Sequence, residues 1–359
     1  MSNKLTIAVL PGDYIGPEIV EASVRVLSAV NDKYDLGLSF EEHAVGHASL
    51  KTDGTTLTDD VFKAACAASG GIILGPCDNG GYPHPDEGGL NVPGIFRKEL
   101  DLYANLRPSK SLPGIPMAIP DLDILVVREN TEGFYPDRNM YQGYGEFMPV
   151  DGVAISMRRI TAEASERIAR SAFEWAMRRR KKVTVVTKKH ILRMTDGLFA
   201  DSCKKVAKEF PEVEVDSAII DSFAADLYLA PQKFDVAVMT NMFGDIMSNL
   251  TSALSGGLGL GGGVNAGPDQ AMANASHGCA PDIGGMNKAN PVSMVISGAM
   301  LIEWLGSKYE RDDLLQASKD IQAAIDHTLT DAKTRTGDVG GTASTTSATD
   351  AMIEFLKRD

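Results

Sequence analysis

At 359 residues the chain is longer than one hydrophobic core ordinarily supports, so two domains are the natural expectation. A hydrophobic share of 43% is that of an ordinary globular protein. The formal net charge of -13 argues against a nucleic-acid partner, because phosphate binding needs a concentrated basic surface.

The amino terminus enters an apolar run, Leu5 to Leu10, too directly to leave room for a signal peptide, and no apolar run reaches membrane-spanning length. Cys66, Cys77, Cys203 and Cys279 show neither paired spacing nor a CxxC, which fits a reducing compartment without a zinc site or disulfide framework. A cytoplasmic protein with no membrane contact is expected. Apolar, β-branched runs at 5–10, 71–74, 124–127, 183–187 and 235–240 read as strands bounded by Gly, Pro or Asp. Helical spacing marks 17–30, 58–69, 161–180, 195–210 and 291–305. The alternation predicts an α/β protein. The basic run Arg178 to Lys182 closes the third helix and reads as complement to its dipole.

Prolines at 108, 113, 116 and 120, and the glycine-rich stretch from Ser255 to Gly263, mark two crossings between domains. Gly257, Gly259 and Gly262 satisfy GxGxxG, but a dinucleotide-binding loop must follow a strand and open a helix. Residues 245–254 before it read as a helix, so a Rossmann site is not expected there.

Chemistry concentrates in two stretches, 97–108 and 127–135. Arg97, Arg107 and Arg128 are suited to hold carboxylates, since a guanidinium donates two parallel charge-assisted hydrogen bonds and keeps its proton. Tyr135 beside them is a candidate proton donor. The pattern points to a small polycarboxylate ligand. A helix beginning near Gly244 sets Asp245 and Asn249 one turn apart on one face, two oxygen donors of the kind hard divalent cations prefer. Lys188 follows a predicted strand, where a desolvated lysine can act as a base.

Seven segments in order, LPGDYIGPEI (10–19), RKELDLYANLRP (97–108), VRENTEGFY (127–135), VTKKHILRMTDGLF (186–199), FDVAVMTNMFGDIMSNL (234–250), HGCAPDIGG with KANP (277–291) and DVGGTAST (338–345), carry a resemblance over nearly the whole chain. It is to the isocitrate/isopropylmalate dehydrogenase family, β-decarboxylating dehydrogenases of (R)-malate derivatives. The resemblance implies a two-domain fold with a large mixed sheet flanked by helices, not a Rossmann fold. One domain is drawn from 1–105 and 253–359 and the other from 106–252, with an arm near 137–157 that joins a homodimer or dimer of dimers.

It further implies that Arg97, Arg107 and Arg128 grip the malate, that Tyr135 and Lys188 move protons, and that Mg²⁺ or Mn²⁺ sits on Asp245 and Asn249 with Asp221 reaching in from the partner, where Asp221 also meets the substrate. NAD is expected on Ile15, His277, Gly278, Cys279, Ala280, Asp282 and Asn290, with His190 near the nicotinamide. A carboxylate at Asp282 accepts from a ribose diol and repels a 2′-phosphate, where NADP users of the family carry Lys. Four positions depart from the family pattern: Tyr14 replaces Gly, His190 replaces Asn, Asn249 replaces Asp and Asn274 replaces Glu. They motivate an alternative, a catalytically weakened regulatory subunit. In the segment 88–96, Asn91 is the candidate substrate contact, and its surroundings match neither the isocitrate nor the isopropylmalate pattern, so the C3 substituent stays open.

Overall fold

The structure, a computed structural model, describes residues 4–112, 114–135, 140, 143 and 145–358. Local chemistry explains the helix boundaries. The first helix, α1 (Gly16–Tyr34), carries proline in its first turn, where the missing N–H costs nothing, and Glu18 at the positive end of the dipole. Thr58, Thr161 and Ser344 cap α3 (Asp59–Ala67), α5 (Ala162–Met177) and α11 (Thr345–Leu356), each accepting a hydrogen bond from a first-turn N–H. The helix predicted to reach 180 stops at Met177, and its basic tail does more than offset a dipole. Arg179 binds Asp123 and Asp235 at 2.7 and 2.8 Å, and Lys182 binds Glu214 and Asp216, so the run fastens the starts of neighbouring strands.

One ten-stranded mixed sheet organises the described residues. Its first half is parallel: β2 (Leu38–Glu42), β1 (Leu5–Leu10), β3 (Ile72–Leu74) and β12 (Ala271–Asn274). Antiparallel pairings then pass through β11 (Val264–Ala266), β4 (Ala104–Lys110) and β5 (Asp123–Glu129). The far half is parallel again: β5, β10 (Val236–Met239), β8 (Lys182–Thr187) and β9 (Glu214–Ile219). Three reversals mean that the two parallel halves point in opposite directions. The inner strands are buried on both faces, as parallel sheets covered by helices require.

The main core lies between the sheet and α1, α5, α6 (Thr195–Ala207), α9 (Val292–Tyr309) and α10 (Asp312–Thr330). On the other face α8 (Asn241–Leu254) lies over β4 and β5. The expected domain boundaries at 105/106 and 252/253 fall inside β4 and inside α8. Of the expected arm, 137–139, 141, 142 and 144 lie outside the described residues; β6 (Glu146–Val150) and β7 (Val153–Ser156) form an antiparallel ribbon whose residues are all exposed. The glycine-rich stretch is a single 3-10 turn between α8 and β11, so GxGxxG opens no helix. All four cysteines are free, and no helix of the described residues is long and apolar enough to cross a membrane.

Gly244 sets how closely α8 approaches the sheet. A Cβ there would stand 2.5 Å from both Cβ and Cγ of the buried Arg128. Gly244→Ala is therefore expected to destabilise the fold by about 1–3 kcal/mol through overpacking, read as a lower urea midpoint. An unchanged midpoint would mean that α8 lifts off β5 at no cost.

Candidate active site

Strand register assembles the site. Asn265 on β11 pairs with Asn105 on β4, which pairs with Arg128 on β5, so the three side chains form one row across the sheet. Arg107, two residues beyond Asn105, shares that face. The amides orient the arginines. Asn265 Oδ1 accepts from Arg97 Nε at 3.1 Å, Asn105 Nδ2 at 2.9 Å and Asn130 Nδ2 at 3.1 Å, while Asn105 Oδ1 accepts from Arg107 Nε at 3.0 Å. At the start of α8, Asn241 Oδ1 accepts from Arg128 Nε at 3.0 Å and Nη2 at 2.7 Å, and its Nδ2 donates to the Glu132 carbonyl at 2.9 Å.

Asp245 on α8 is where the charges meet. Its Oδ1 accepts from Arg107 at 3.2 Å and Arg128 at 2.6 Å, and its Oδ2 accepts from the Tyr135 hydroxyl at 2.6 Å. Ser248 Oγ accepts a further bond from Arg107 at 2.8 Å. Burial, then the like charge of Arg128, bring the Arg107 pKa down to about 10. Burial would raise the Asp245 pKa, but Arg128 and Arg107 outweigh it and hold the carboxyl below its usual range. Burial also lifts the Tyr135 phenol above its ordinary value, against the pull of Arg128, so it keeps its proton. Arg107 and Arg128 thus have one carboxylate between them among the described residues, and the cluster retains positive charge.

Of the predicted residues, Arg97, Arg107, Arg128, Tyr135 and Asp245 come together here, and Asn249 follows one turn along α8, half-buried. Asn91 instead caps α4 (Val92–Glu99), accepting from Gly94 N at 3.0 Å. Asn274, the departure at the end of β12, accepts from Arg97 Nη2 at 3.4 Å and donates to the Leu74 carbonyl. Asn105, Asn241, Asn265 and Ser248 were not singled out from sequence. Asn105 had a signal, the two-residue strand period linking it to Arg107; Asn265 had none, because only strand pairing brings it near.

Lys188 and Asp221 form a second group. The Lys188 ammonium binds Asp221 at 2.6 Å, and that bond lowers the Asp221 pKa. Neither is hydrogen-bonded or ion-paired to Arg107, Arg128 or Asp245. His190 is exposed and close enough to Asp221 to contribute to lowering its pKa, so within one chain it sits with this pair. Exposed apolar side chains occur on the same elements: Met194, in the loop after Lys188, is 86% accessible, and Leu229, at the far end of the helix whose first turn holds Asp221, is 73% accessible.

A third group lies at the carboxyl ends of β1 and β12. Ile15 N donates to the Cys279 carbonyl at 3.1 Å, joining the loop before α1 to the 277–285 loop. Tyr14 takes a left-handed backbone, φ 51°, and packs against Gly284, where a Cβ would lie 2.9 Å from its Cα. His277 curls onto the Gly278 carbonyl, leaving its Nε2 enclosed without a partner; Gly278 and Ala280 are exposed. Asn290 is buried and donates to Asp338 at 3.0 Å. The exposed Asp282 carboxylate makes no hydrogen bond with described residues.

For a divalent cation, the donor chemistry fits in kind: Asp245 is ionised and keeps lone pairs beyond its three bonds, and Asn249 adds an amide oxygen. It does not close in number, since no three His, Cys, Asp or Glu of the described residues cluster as ligands.

The isocitrate/isopropylmalate dehydrogenase family model matches residues 6–356. The 3-isopropylmalate dehydrogenase of Sulfurisphaera tokodaii is 40% identical over 95% of this chain and 96% of its own length. The mitochondrial isocitrate dehydrogenase [NAD] catalytic subunit 6 of Arabidopsis thaliana is 38% identical over 99% of this chain and 89% of its own. The crystal structure of isocitrate dehydrogenase from Methylococcus capsulatus superposes with a TM-score of 0.85 at 37% identity, covering 99% of this chain and 100% of that one. With fold, motif order and full-length likeness in agreement, the chain belongs to the isocitrate/isopropylmalate dehydrogenase family, enzymes that oxidatively decarboxylate a hydroxy acid.

Proposed function

We propose that the protein is a cytoplasmic, NAD-dependent homodimeric enzyme that converts a 3-substituted (R)-malate into a 2-oxo acid and CO₂ with the help of Mg²⁺ or Mn²⁺. The observation that carries the reading is two buried guanidiniums, Arg107 and Arg128, sharing one carboxylate. A buried cluster with excess positive charge is stabilised by an incoming anion, and a di- or tricarboxylate brings the right charge. The full-length likeness to both 3-isopropylmalate and isocitrate dehydrogenases supports the malate core and leaves the C3 group to be found by assay with malates bearing methyl, isopropyl, hydroxyl, carboxymethyl and carboxyethyl groups.

Arg107, Arg128 and Arg97 bind and orient the carboxylates against the amide row. Lys188 and Asp221 face a second copy and complete its site; the exposed β6–β7 ribbon and exposed apolar side chains such as Met194 extend the same contact. We assign the two lobes, 1–105 with 253–359 and 106–252, to the two walls of the site. Lys188 takes the C2 hydroxyl proton. When bound, the cation on Asp245, Asn249 and the second copy's aspartate would supply charge for the developing C2 oxyanion, while NAD would accept the hydride. Tyr135, kept protonated by burial, delivers a proton to C3 after CO₂ departs. NAD is favoured because Asp282 offers a free carboxylate to a ribose diol beside Ile15 and the 277–285 loop, and a relative of similar length is an NAD enzyme.

Arg128→Lys should lower kcat/KM more than about tenfold with the fold intact, since an ammonium cannot reproduce the guanidinium's simultaneous grip on Asn241 and Asp245. Unchanged kcat/KM in steady-state assays would remove Arg128 from the site. Asp282→Lys should raise the KM for NAD and lower that for NADP by exchanging a diol acceptor for a phosphate partner. A wild-type enzyme that already prefers NADP would refute the cofactor assignment.

A further inference from the structure

Behind the arginine row, on the opposite face of the same strands, lies a cleft that the proposed reaction leaves unused. Strand alternation sends Arg107 toward α8 and Pro108 the other way. Pro108 and Leu125 floor a cavity of about 900 Å³ walled by α5, α9 and α10.

Glu303 on α9 lines this cleft, and its carboxylate makes no hydrogen bond or ion pair with any described residue. Burial pushes its pKa up, although Arg178, Lys319 and Arg179 are near enough to pull it down. Two of those cations are engaged elsewhere. Arg178 lies over the Trp175 ring, 5.4 Å from its centroid, and donates to Ser307 Oγ at 3.2 Å; Arg179 is held by Asp123 and Asp235. Lys319, exposed on α10 at the edge of the cleft, makes no hydrogen bond or ion pair. The Glu303 carboxylate and the Lys319 ammonium thus line one cavity without an ion pair between them, in a lining that also includes Glu310 and Asp312 and offers apolar surface at Leu125 and Trp175.

A small molecule carrying both an amino and an acid group would satisfy both at once, and apolar surface selects an apolar body. We propose that the cleft is an effector site for a free amino acid with an apolar side chain, its α-ammonium on Glu303, its α-carboxylate on Lys319 and its side chain against Trp175 and Leu125. A ligand there rests on Pro108, the residue after Arg107, so its occupancy bears on the substrate clamp through β4.

Titration calorimetry of the intact protein against individual amino acids tests this without any substrate, so its failure and failure of the proposed reaction are separate results. Leucine, isoleucine, valine, methionine and phenylalanine should bind with Kd values below about 1 mM, while their N-acetyl and methyl-ester derivatives should not. Glu303→Gln and Lys319→Ala should each weaken binding about tenfold or more, with thermal unfolding and turnover in the absence of amino acid unchanged. No heat at about 10 mM amino acid, binding indifferent to blocking either end of the ligand, or binding that Glu303→Gln leaves intact would each overturn the assignment.

Discussion

Two guanidinium groups buried against one carboxylate set the terms for the rest of the site. Removing an ion from water costs several kcal/mol even after relaxation, and Asp245 compensates only part of that cost for Arg107 and Arg128. The remaining acceptors are neutral, the amide oxygens of Asn105 and Asn241 and the Ser248 hydroxyl, which fix direction without cancelling charge. A neutral scaffold holding excess positive charge suits the proposed polycarboxylate substrate, which would bring the missing charge. The same cluster holds the Tyr135 hydroxyl on Asp245, while burial raises the phenol's pKa, and it requires glycine at 244 so that α8 can bring Asp245 within reach.

The sheet makes this geometry possible through its reversals. Strands β11, β4 and β5 pair antiparallel in the middle, which puts side chains from residues 105, 128 and 265 in one row although they are distant in sequence. The parallel halves on either side deliver loops: those after β1 and β12 meet through Ile15 and Cys279, and those after β8 and β9 meet through Lys188 and Asp221. The proposed division of the site between copies would supply a use for Lys188 and Asp221, which lie apart from the arginine cluster within one chain.

Much of this was legible in the chain, for reasons that differ by residue. Strands such as 5–10 and 183–187 were found because an inner parallel strand is an uninterrupted apolar run, and α5 because its buried residues repeat at helical spacing with Thr161 at the cap. Asp245 and Asn249 were found because helix period is local. What was hidden is what only tertiary pairing creates. Asn265 carries no signal until β11 lies beside β4, and the basic tail of α5 looked like a dipole complement until Asp123 and Asp235 were seen to receive it. Asn91, a substrate contact by resemblance, has a structural task that the sequence does not show, since its Oδ1 caps α4. Glu303 gave no hint at all, since its solitude depends on three helices and two strands.

The central claim is that the arginine clamp of one copy works with Lys188 of the other. Mixing Arg128→Ala and Lys188→Ala proteins, each inactive alone, after denaturation and refolding together tests it directly. In a mixed dimer one site carries both lesions and the other carries neither; with half of the dimers mixed, activity should return to about one quarter of wild type. Activity that stays at the level of the separate variants would contradict a shared site and return Lys188 to the surface of its own subunit.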